Sequence, residues 1–185
     1  RVVNRHSSPK IIKACLNWLA HFHAQFMQHN ADGLWLIGTY WHLDTRPDEF
    51  NALPESELKH AASALDKRLN TCHYQTLVHG DAKLANFCFT SDSSNAAAVD
   101  FQYIGRGCGM KDVAYFLSSV LAFNTPVSQT DKLVEHYVDS YFAVLKQSLK
   151  QQQPSIDANA LIQTWRPLFS IAWADFHRFI KGWSP

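Results

Sequence analysis

Apolar residues recur three or four positions apart in five stretches of the chain, and this spacing predicts a mainly helical protein. Ser8 and Pro9 suit the start of the first stretch, because serine caps helix N-termini and proline fits the first turn. Pro167 falls inside the last stretch, where we expect the helix to kink or restart. The predicted helices are Pro9–Gln28, Leu53–Cys72, Asp112–Phe123, Ser128–Lys150 and Asp157–Lys181. The face of the fourth helix that we expect to point inward comprises Leu133, Val134, Tyr137, Val138, Tyr141, Phe142 and Leu145.

In two segments the apolar residues recur with neither the spacing of a helix nor that of a strand. Ala31–Asp44 contains two glycines and several aromatic residues, and we interpret it as an ordered aromatic loop. Phe101–Lys111 carries Gly105, Gly107 and Gly109 at alternate positions, which favours a flexible or tightly turned link rather than a strand. The part of the chain in which strands are predicted lies between these two segments.

Short apolar runs after the second predicted helix indicate strands. Gln75–Val78 is expected to be a short strand that leads into a loop, His79–Ala85. Asn86–Thr90 and Ala96–Asp100 are expected to pair as a hairpin around a polar turn. Such a hairpin brings its two outer ends together, so residues far apart along it become neighbours.

The hairpin would place Asn86 beside Asp100, with Asp81 in the loop just before them. Carboxylate and amide oxygens suit a divalent cation such as Mg²⁺, which in turn binds phosphate oxygens. The alternative is that all three are ordinary turn-forming residues flanking a hairpin. The joint pattern favours a phosphoryl-transfer site.

Composition and charge narrow the classes of partner. At 185 residues and 46% hydrophobic, the chain is long enough for one globular domain with a buried core. A net charge of +1 without blocks of like charge argues against a nucleic-acid or anionic-membrane surface. The longest nearly apolar stretch, Val113–Phe123, is shorter than the roughly 20 residues of a membrane span. Small neutral or charged metabolites remain open as partners.

Cysteine and histidine spacing gives no sign of a disulfide framework or a zinc site. Cys15, Cys72, Cys88 and Cys108 are scattered, which suits reduced thiols and predicts a cytoplasmic location. His21 and His23 lie two positions apart on a predicted helix and so face different ways. We expect His23 to be a buried packing residue.

The sequence His79–Asn86 has the form H-G-D-x-x-x-x-N, and the tripeptide D-F-Q follows at Asp100–Gln102. The two motifs resemble the catalytic loop and metal-binding segment of the kinase-like fold, closest to the aminoglycoside phosphotransferase, choline kinase and ecdysteroid kinase-like group. Leu19–Ala24 resembles that group's L-A-x-x-H-A helix, and Asp112–Leu117 resembles its D-x-A-Y-F-L helix start. The resemblance implies an α+β, mainly α fold: the helical C-terminal lobe with a small β-hairpin at the catalytic loop, in one domain over residues 1–185.

The resemblance also implies roles for individual residues. Asp81 would orient an acceptor hydroxyl and take its proton, Asn86 and Asp100 would hold Mg²⁺ and thereby ATP, and Lys83 could reach the γ-phosphate. His79 is expected to hold the loop through backbone contacts rather than to act as an acid or base. Asp112 is expected to brace the catalytic loop or to cap its own helix, and both roles are compatible.

Aromatic residues are candidates for the acceptor pocket, although aromatic side chains more often form a core. Tyr40, Trp41 and Trp173 are the candidates from the aromatic loop and the last helix. If they line the pocket, cation–π contact with an amine or quaternary ammonium acceptor would follow.

The sequence has no Gly-rich loop followed by a V-A-x-K strand, the elements that cover ATP phosphates in the kinase-like fold. The chain also opens at Arg1 without a methionine. We therefore expect this chain to be a piece of a longer two-lobed protein, with the N-terminal lobe absent, and to be inactive by itself.

Two other functions stay open. A protein Ser/Thr kinase would need a peptide-docking segment, and only the eleven residues 101–111 separate Asp100 from Asp112. A non-catalytic kinase-like binding or scaffold module would tolerate loss of Asp81 or Asn86, and both are present. A small-molecule phosphotransferase is the function that these residues favour.

Overall fold

All five predicted helical stretches form helices in the computed structural model, which describes residues 8–121 and 127–184. The last stretch is divided at Pro167, as predicted. A short helix, Pro47–Ala52, was not predicted. The helices described are α1 Pro9–Gln25, α2 Pro47–Ala52, α3 Glu57–Asn70, α4 Met110–Val120, α5 Val127–Gln152, α6 Ala158–Trp165 and α7 Leu168–Trp183.

Capping residues explain where several helices begin. The Ser8 side chain accepts a hydrogen bond from the Ile11 N–H at the start of α1. The Ser56 hydroxyl accepts one from the Lys59 N–H, so α3 begins after Ser56 rather than at Leu53. The predicted end of the third helix at Phe123 lies outside the described residues.

The predicted hairpin is present. Its strands, β2 Phe87–Phe89 and β3 Ala96–Ala98, pair antiparallel with Phe87 opposite Ala98. The ladder extends to the Asn86 carbonyl, which accepts a hydrogen bond from the Val99 N–H at 2.9 Å. The hairpin therefore joins the two ends that carry Asn86 and Asp100.

A second sheet corrects the prediction for Phe101–Lys111, because Gly105–Gly107 forms strand β4 rather than a link. It pairs antiparallel with β1, Thr76–Val78. The backbone of Trp35, in the aromatic loop, also exchanges hydrogen bonds with the flanks of Gly105. A β-carbon on Gly105 would lie 2.3 Å from the Trp35 carbonyl oxygen, so glycine is required by this close approach and not by a turn.

The buried side chains form a main core and a smaller aromatic cluster. The main core joins α1, α4, α5 and α6, and its fully buried members include Leu16, Leu19, Phe116, Tyr141, Leu145 and Trp165. The aromatic cluster comprises Trp41, Tyr115, Phe176 and Phe179, with Tyr40 at its margin. Leu133 was wrongly predicted to be buried, since 43% of its surface is exposed. Periodicity identifies a helix face, but only neighbouring elements determine how far along the helix that face is covered.

Candidate active site

Asp112 holds the loop that carries the candidate catalytic residues. It lies in the first turn of α4, whose N-cap is Gly109, and its carboxylate does not cap that helix. Instead the carboxylate accepts hydrogen bonds from the backbone N–H of His79 at 2.6 Å and of Gly80 at 3.0 Å. The loop backbone is thus fixed to α4 by a buried carboxylate.

A buried histidine and tyrosine complete the surroundings of Asp112. His23 Nε2 lies 3.1 Å from Asp112 Oδ2, and His23 Nδ1 lies 2.7 Å from the Tyr141 hydroxyl. Burial by itself raises the pKa of Asp112, but the hydrogen bond from His23, the charges of His23 and His79 and the Gly80 N–H outweigh it and lower that pKa. His23 is buried as predicted, but it is a polar partner of Asp112 and not only a packing residue.

His79 connects the loop to the end of the hairpin. Its Nε2 lies 2.9 Å from the Val99 carbonyl oxygen, and its Nδ1 accepts a hydrogen bond from the Asp81 N–H at 3.2 Å. Both ring nitrogens therefore contact the backbone, in keeping with the expected holding role. Because Val99 precedes Asp100, His79 also joins the Asp81 loop to the residue that carries the second carboxylate.

Each oxygen of the Asp81 carboxylate accepts hydrogen bonds. Oδ2 accepts from Asn86 Nδ2 at 2.9 Å and from Lys83 Nζ at 2.8 Å. Oδ1 accepts from the Tyr115 hydroxyl at 3.1 Å. Asp81 is only 3% exposed, whereas the Lys83 side chain is 41% exposed. In this arrangement Lys83 neutralises Asp81, and its partly exposed position leaves it able to meet an incoming phosphate.

Asp100 lies beyond the hairpin in an uncommon backbone conformation. Its φ is +66°, in the left-handed region, which aspartate tolerates better than most residues. Its side chain is exposed and makes no hydrogen bond or ion pair with residues 8–121 or 127–184. An exposed carboxylate in this position is available to a ligand.

Asn86 and Asp100 fit a magnesium ion better than a zinc ion. The Asn86 amide nitrogen donates to Asp81, so its side-chain oxygen is directed away from that carboxylate. Among the described residues, no three histidine, cysteine or acidic side chains converge on one point. An amide oxygen and one carboxylate form the small, hard donor set that suits Mg²⁺, which keeps water and phosphate oxygens in its shell.

Similarity to known proteins indicates which family the chain belongs to. The model of the ecdysteroid kinase-like family matches residues 36–153, well over half of the chain, and the match includes Asp81, Asn86, Asp100 and Asp112. The chain belongs to the ecdysteroid kinase-like family. Searches among curated proteins and among solved structures found no match. Membership of this family, within the protein-kinase-like superfamily, indicates a kinase-like phosphotransferase of small molecules.

In this member of the ecdysteroid kinase-like family, the aromatic side chains of Tyr115 and Tyr40 lie on one side of Asp81. Tyr40 donates its N–H to the Gly80 carbonyl at 3.1 Å, and its ring lies 5.5 Å from that of Tyr115. The Arg46 guanidinium lies 5.8 Å from the centre of the Tyr40 ring. Tyr40 therefore already has a cation–π partner from the chain itself.

The other two candidates for the acceptor pocket are placed differently. Trp41, a candidate for the acceptor pocket, is fully buried in the aromatic cluster. Trp173 lies on α7, half-buried against the main core beside Phe169. Of the three aromatic candidates, Tyr40 is the one whose backbone bonds to the loop, at the Gly80 carbonyl.

Sequence reasoning missed Tyr115 as a site residue. Tyr115 lies three positions after Asp112 on α4, and residues at this spacing share one face of a helix. Once Asp112 was expected to contact the loop, the same spacing could have pointed to Tyr115. His23 is the histidine of the L-A-x-x-H-A pattern, but its spacing could not reveal its partner, because its contact with Asp112 joins residues 89 positions apart.

Within residues 8–121 and 127–184, we find no helix that is both long and apolar enough to cross a membrane.

Proposed function

We propose that the protein transfers the γ-phosphoryl group of ATP, with Mg²⁺, to a hydroxyl group of a small molecule. The observation that carries the proposal is the Asp81 carboxylate, which is buried and held by Asn86, Lys83 and Tyr115, while the Asn86 backbone is bonded to Val99, the residue before Asp100. This combination offers one group for the hydroxyl proton and a separate pair for a metal ion.

The reaction follows from these positions. The acceptor hydroxyl would donate a hydrogen bond to Asp81, which fixes its oxygen for in-line attack on the γ-phosphorus. As the new oxygen–phosphorus bond forms, the bond to ADP breaks and the hydroxyl proton passes to Asp81. Lys83 would contribute positive charge near the transferred group. When bound, Mg²⁺ would be held by Asn86 and Asp100 and would neutralise phosphate charge.

The segment after Asp100 supports a small acceptor rather than a peptide. Only residues 101–111 separate Asp100 from Asp112, and strand β4 takes up Gly105–Gly107 by pairing with β1. The remaining residues are too few for a segment that docks a protein substrate. A protein kinase is accordingly less well supported than a small-molecule kinase.

The positive charges near Tyr40 and Asp81 favour an uncharged acceptor over an amine. Arg46 faces the Tyr40 ring and Lys83 is paired with Asp81, so two cations already lie beside the expected acceptor position. A cationic acceptor there would be a third cation and would be repelled. The family name refers to ecdysteroid, which makes steroid alcohols the first class to test.

The phosphate-covering elements belong, in this proposal, to an N-terminal lobe of the same protein. The 185 residues contain no Gly-rich loop with a following lysine strand. We expect this chain by itself to bind ATP weakly and to turn over negligibly. Tests of ATP-dependent turnover therefore need the full-length protein.

An ATP-consumption screen of the full-length protein tests the proposal. Steroid alcohols and sugars would be compared with choline and amino sugars, each with Mg²⁺. We expect turnover with an uncharged acceptor, and a loss of roughly 100-fold or more in Asp81→Asn, as for removal of a general base. Asp139→Asn, which removes an exposed carboxylate on α5, is the matched control and should match wild type.

Two outcomes would contradict the proposal, and each would favour a different function. If Mg²⁺–ATP binds but no acceptor stimulates its consumption, the protein is a non-catalytic binding module. If serine or threonine peptides are phosphorylated and small molecules are not, it is a protein kinase.

A further inference from the structure

The two oxygens of the Asp81 carboxylate are unequally occupied. Oδ2 accepts hydrogen bonds from both Asn86 and Lys83, whereas within the described residues Oδ1 accepts one, from the Tyr115 hydroxyl at 3.1 Å. A carboxylate oxygen offers about two lone-pair directions. Oδ1 therefore keeps one direction for an acceptor hydroxyl, and the other is filled by Tyr115.

The Tyr115 hydroxyl has little freedom to move. The side chain is 7% exposed, and its ring packs against those of Trp41 at 5.1 Å and Phe176 at 4.7 Å. Burial, followed by the neighbouring Tyr40 and Asp81, raises the pKa of Tyr115 far above its usual range. The hydroxyl stays protonated and so remains a donor to Asp81.

Helix α4 thus makes two separate contacts with the catalytic loop. Asp112 binds the backbone of His79 and Gly80, and Tyr115, one turn later, binds the side chain of Asp81. The first contact fixes where the loop lies. The second fixes how the carboxylate is turned.

We propose that Tyr115 is a positioning residue, which holds Asp81 in the orientation that presents Oδ1 to the acceptor hydroxyl. The proposal rests on the proposed function. Without the tyrosine hydroxyl, Lys83 and Asn86 still bind Oδ2, but Oδ1 loses its anchor and the carboxylate can rotate. Misplacement of a catalytic group reduces the chemical step more than substrate binding.

The test compares Tyr115→Phe with wild type in the full-length protein, using an acceptor found in the screen. Phenylalanine keeps the packed ring and removes only the hydroxyl. We expect kcat to fall about 10- to 100-fold with the KM values for acceptor and ATP within about two-fold.

Tyr137→Phe is the matched control, because it removes a buried tyrosine hydroxyl on α5, away from the loop. It should leave kcat and both KM values unchanged. If Tyr115→Phe matches wild type in kcat while Asp81→Asn is inactive, the inference is overturned and the proposed function stands. The inference is also overturned if the loss of kcat only follows the fraction of folded protein. If wild type shows no acceptor-dependent turnover, the proposed function fails, and the inference with it.

Discussion

The carboxylate of Asp112 accepts a hydrogen bond from the backbone N–H of His79, 33 positions earlier in the chain, at 2.6 Å. The next N–H, of Gly80, binds the other carboxylate oxygen. Asp112 is fully buried, so water cannot replace it as a partner for these groups. A side chain from a helix that follows the His79–Ala85 loop therefore helps to fix the position of the loop backbone.

Replacing Asp112 with alanine should destabilise the protein by about 3 kcal/mol or more. The change leaves two backbone N–H groups and the Nε2 atom of His23 without a buried partner, at about 1–3 kcal/mol for each orphaned group. Urea unfolding measures the difference in free energy. Asp157→Ala is the control, since Asp157 also accepts two backbone N–H groups but lies at an exposed helix start. We expect that control to cost about 0.5–2 kcal/mol. Equal losses in the two variants would contradict the bracing role.

Asp112 should also make stability depend on acidity. Its pKa is lowered in the folded protein, so its contribution is fully present above the unfolded value of about 4 and is lost as pH falls through the folded value. Urea unfolding at several pH values between 5 and 2 would show this loss. The unfolding free energy should change less steeply with pH in Asp112→Asn, because that variant has no carboxyl group to titrate at this position. Parallel slopes would assign the acid sensitivity to other groups.

Gly80 should be far less replaceable than Gly33. Both have positive φ, +83° and +78°, so alanine at either costs about 1–2 kcal/mol in backbone conformation. A β-carbon on Gly80 would lie 2.3 Å from the Tyr103 carbonyl oxygen, whereas one on Gly33 meets nothing within 4 Å. We expect Gly33→Ala to stay within that conformational cost and Gly80→Ala to exceed it and abolish turnover. Thermal unfolding and ATP consumption measure the two effects, and equal costs would exclude the predicted clash.

The buried pair of Asp175 and Arg178 on α7 should show strong coupling. Their side chains are 1% and 0% exposed and lie 2.9 Å apart. Asp175→Asn leaves the Arg178 and Lys111 charges without this partner and should cost about 3–5 kcal/mol. The double variant Asp175→Leu with Arg178→Met removes both charges and should be less destabilised than the single variant Asp175→Leu, which leaves Arg178 unpaired. A double-variant cycle by urea unfolding checks this, and additive losses would show that the pair is not coupled.

Much of the fold was predictable because its signals are local. Helix periodicity, the Pro167 break and the hairpin each depend on residues a few positions apart, and the structure has them in place. The H-G-D-x-x-x-x-N motif likewise joins Asp81 and Asn86 within one loop, so sequence alone could place them together. The family match over residues 36–153 agrees with that motif.

Tertiary structure alone decided the contacts between distant segments. It made Gly105–Gly107 a strand, because the pairing partners are β1 and the aromatic loop. It buried Trp41, although nothing in the local sequence distinguishes that residue from Tyr40. It also joined Tyr115 to Asp81 and His23 to Asp112, across 34 and 89 positions. Sequence determined which chemical groups the catalytic loop carries, and packing determined how they are held, because burial and hydrogen-bond partners depend on elements that meet only in the folded chain.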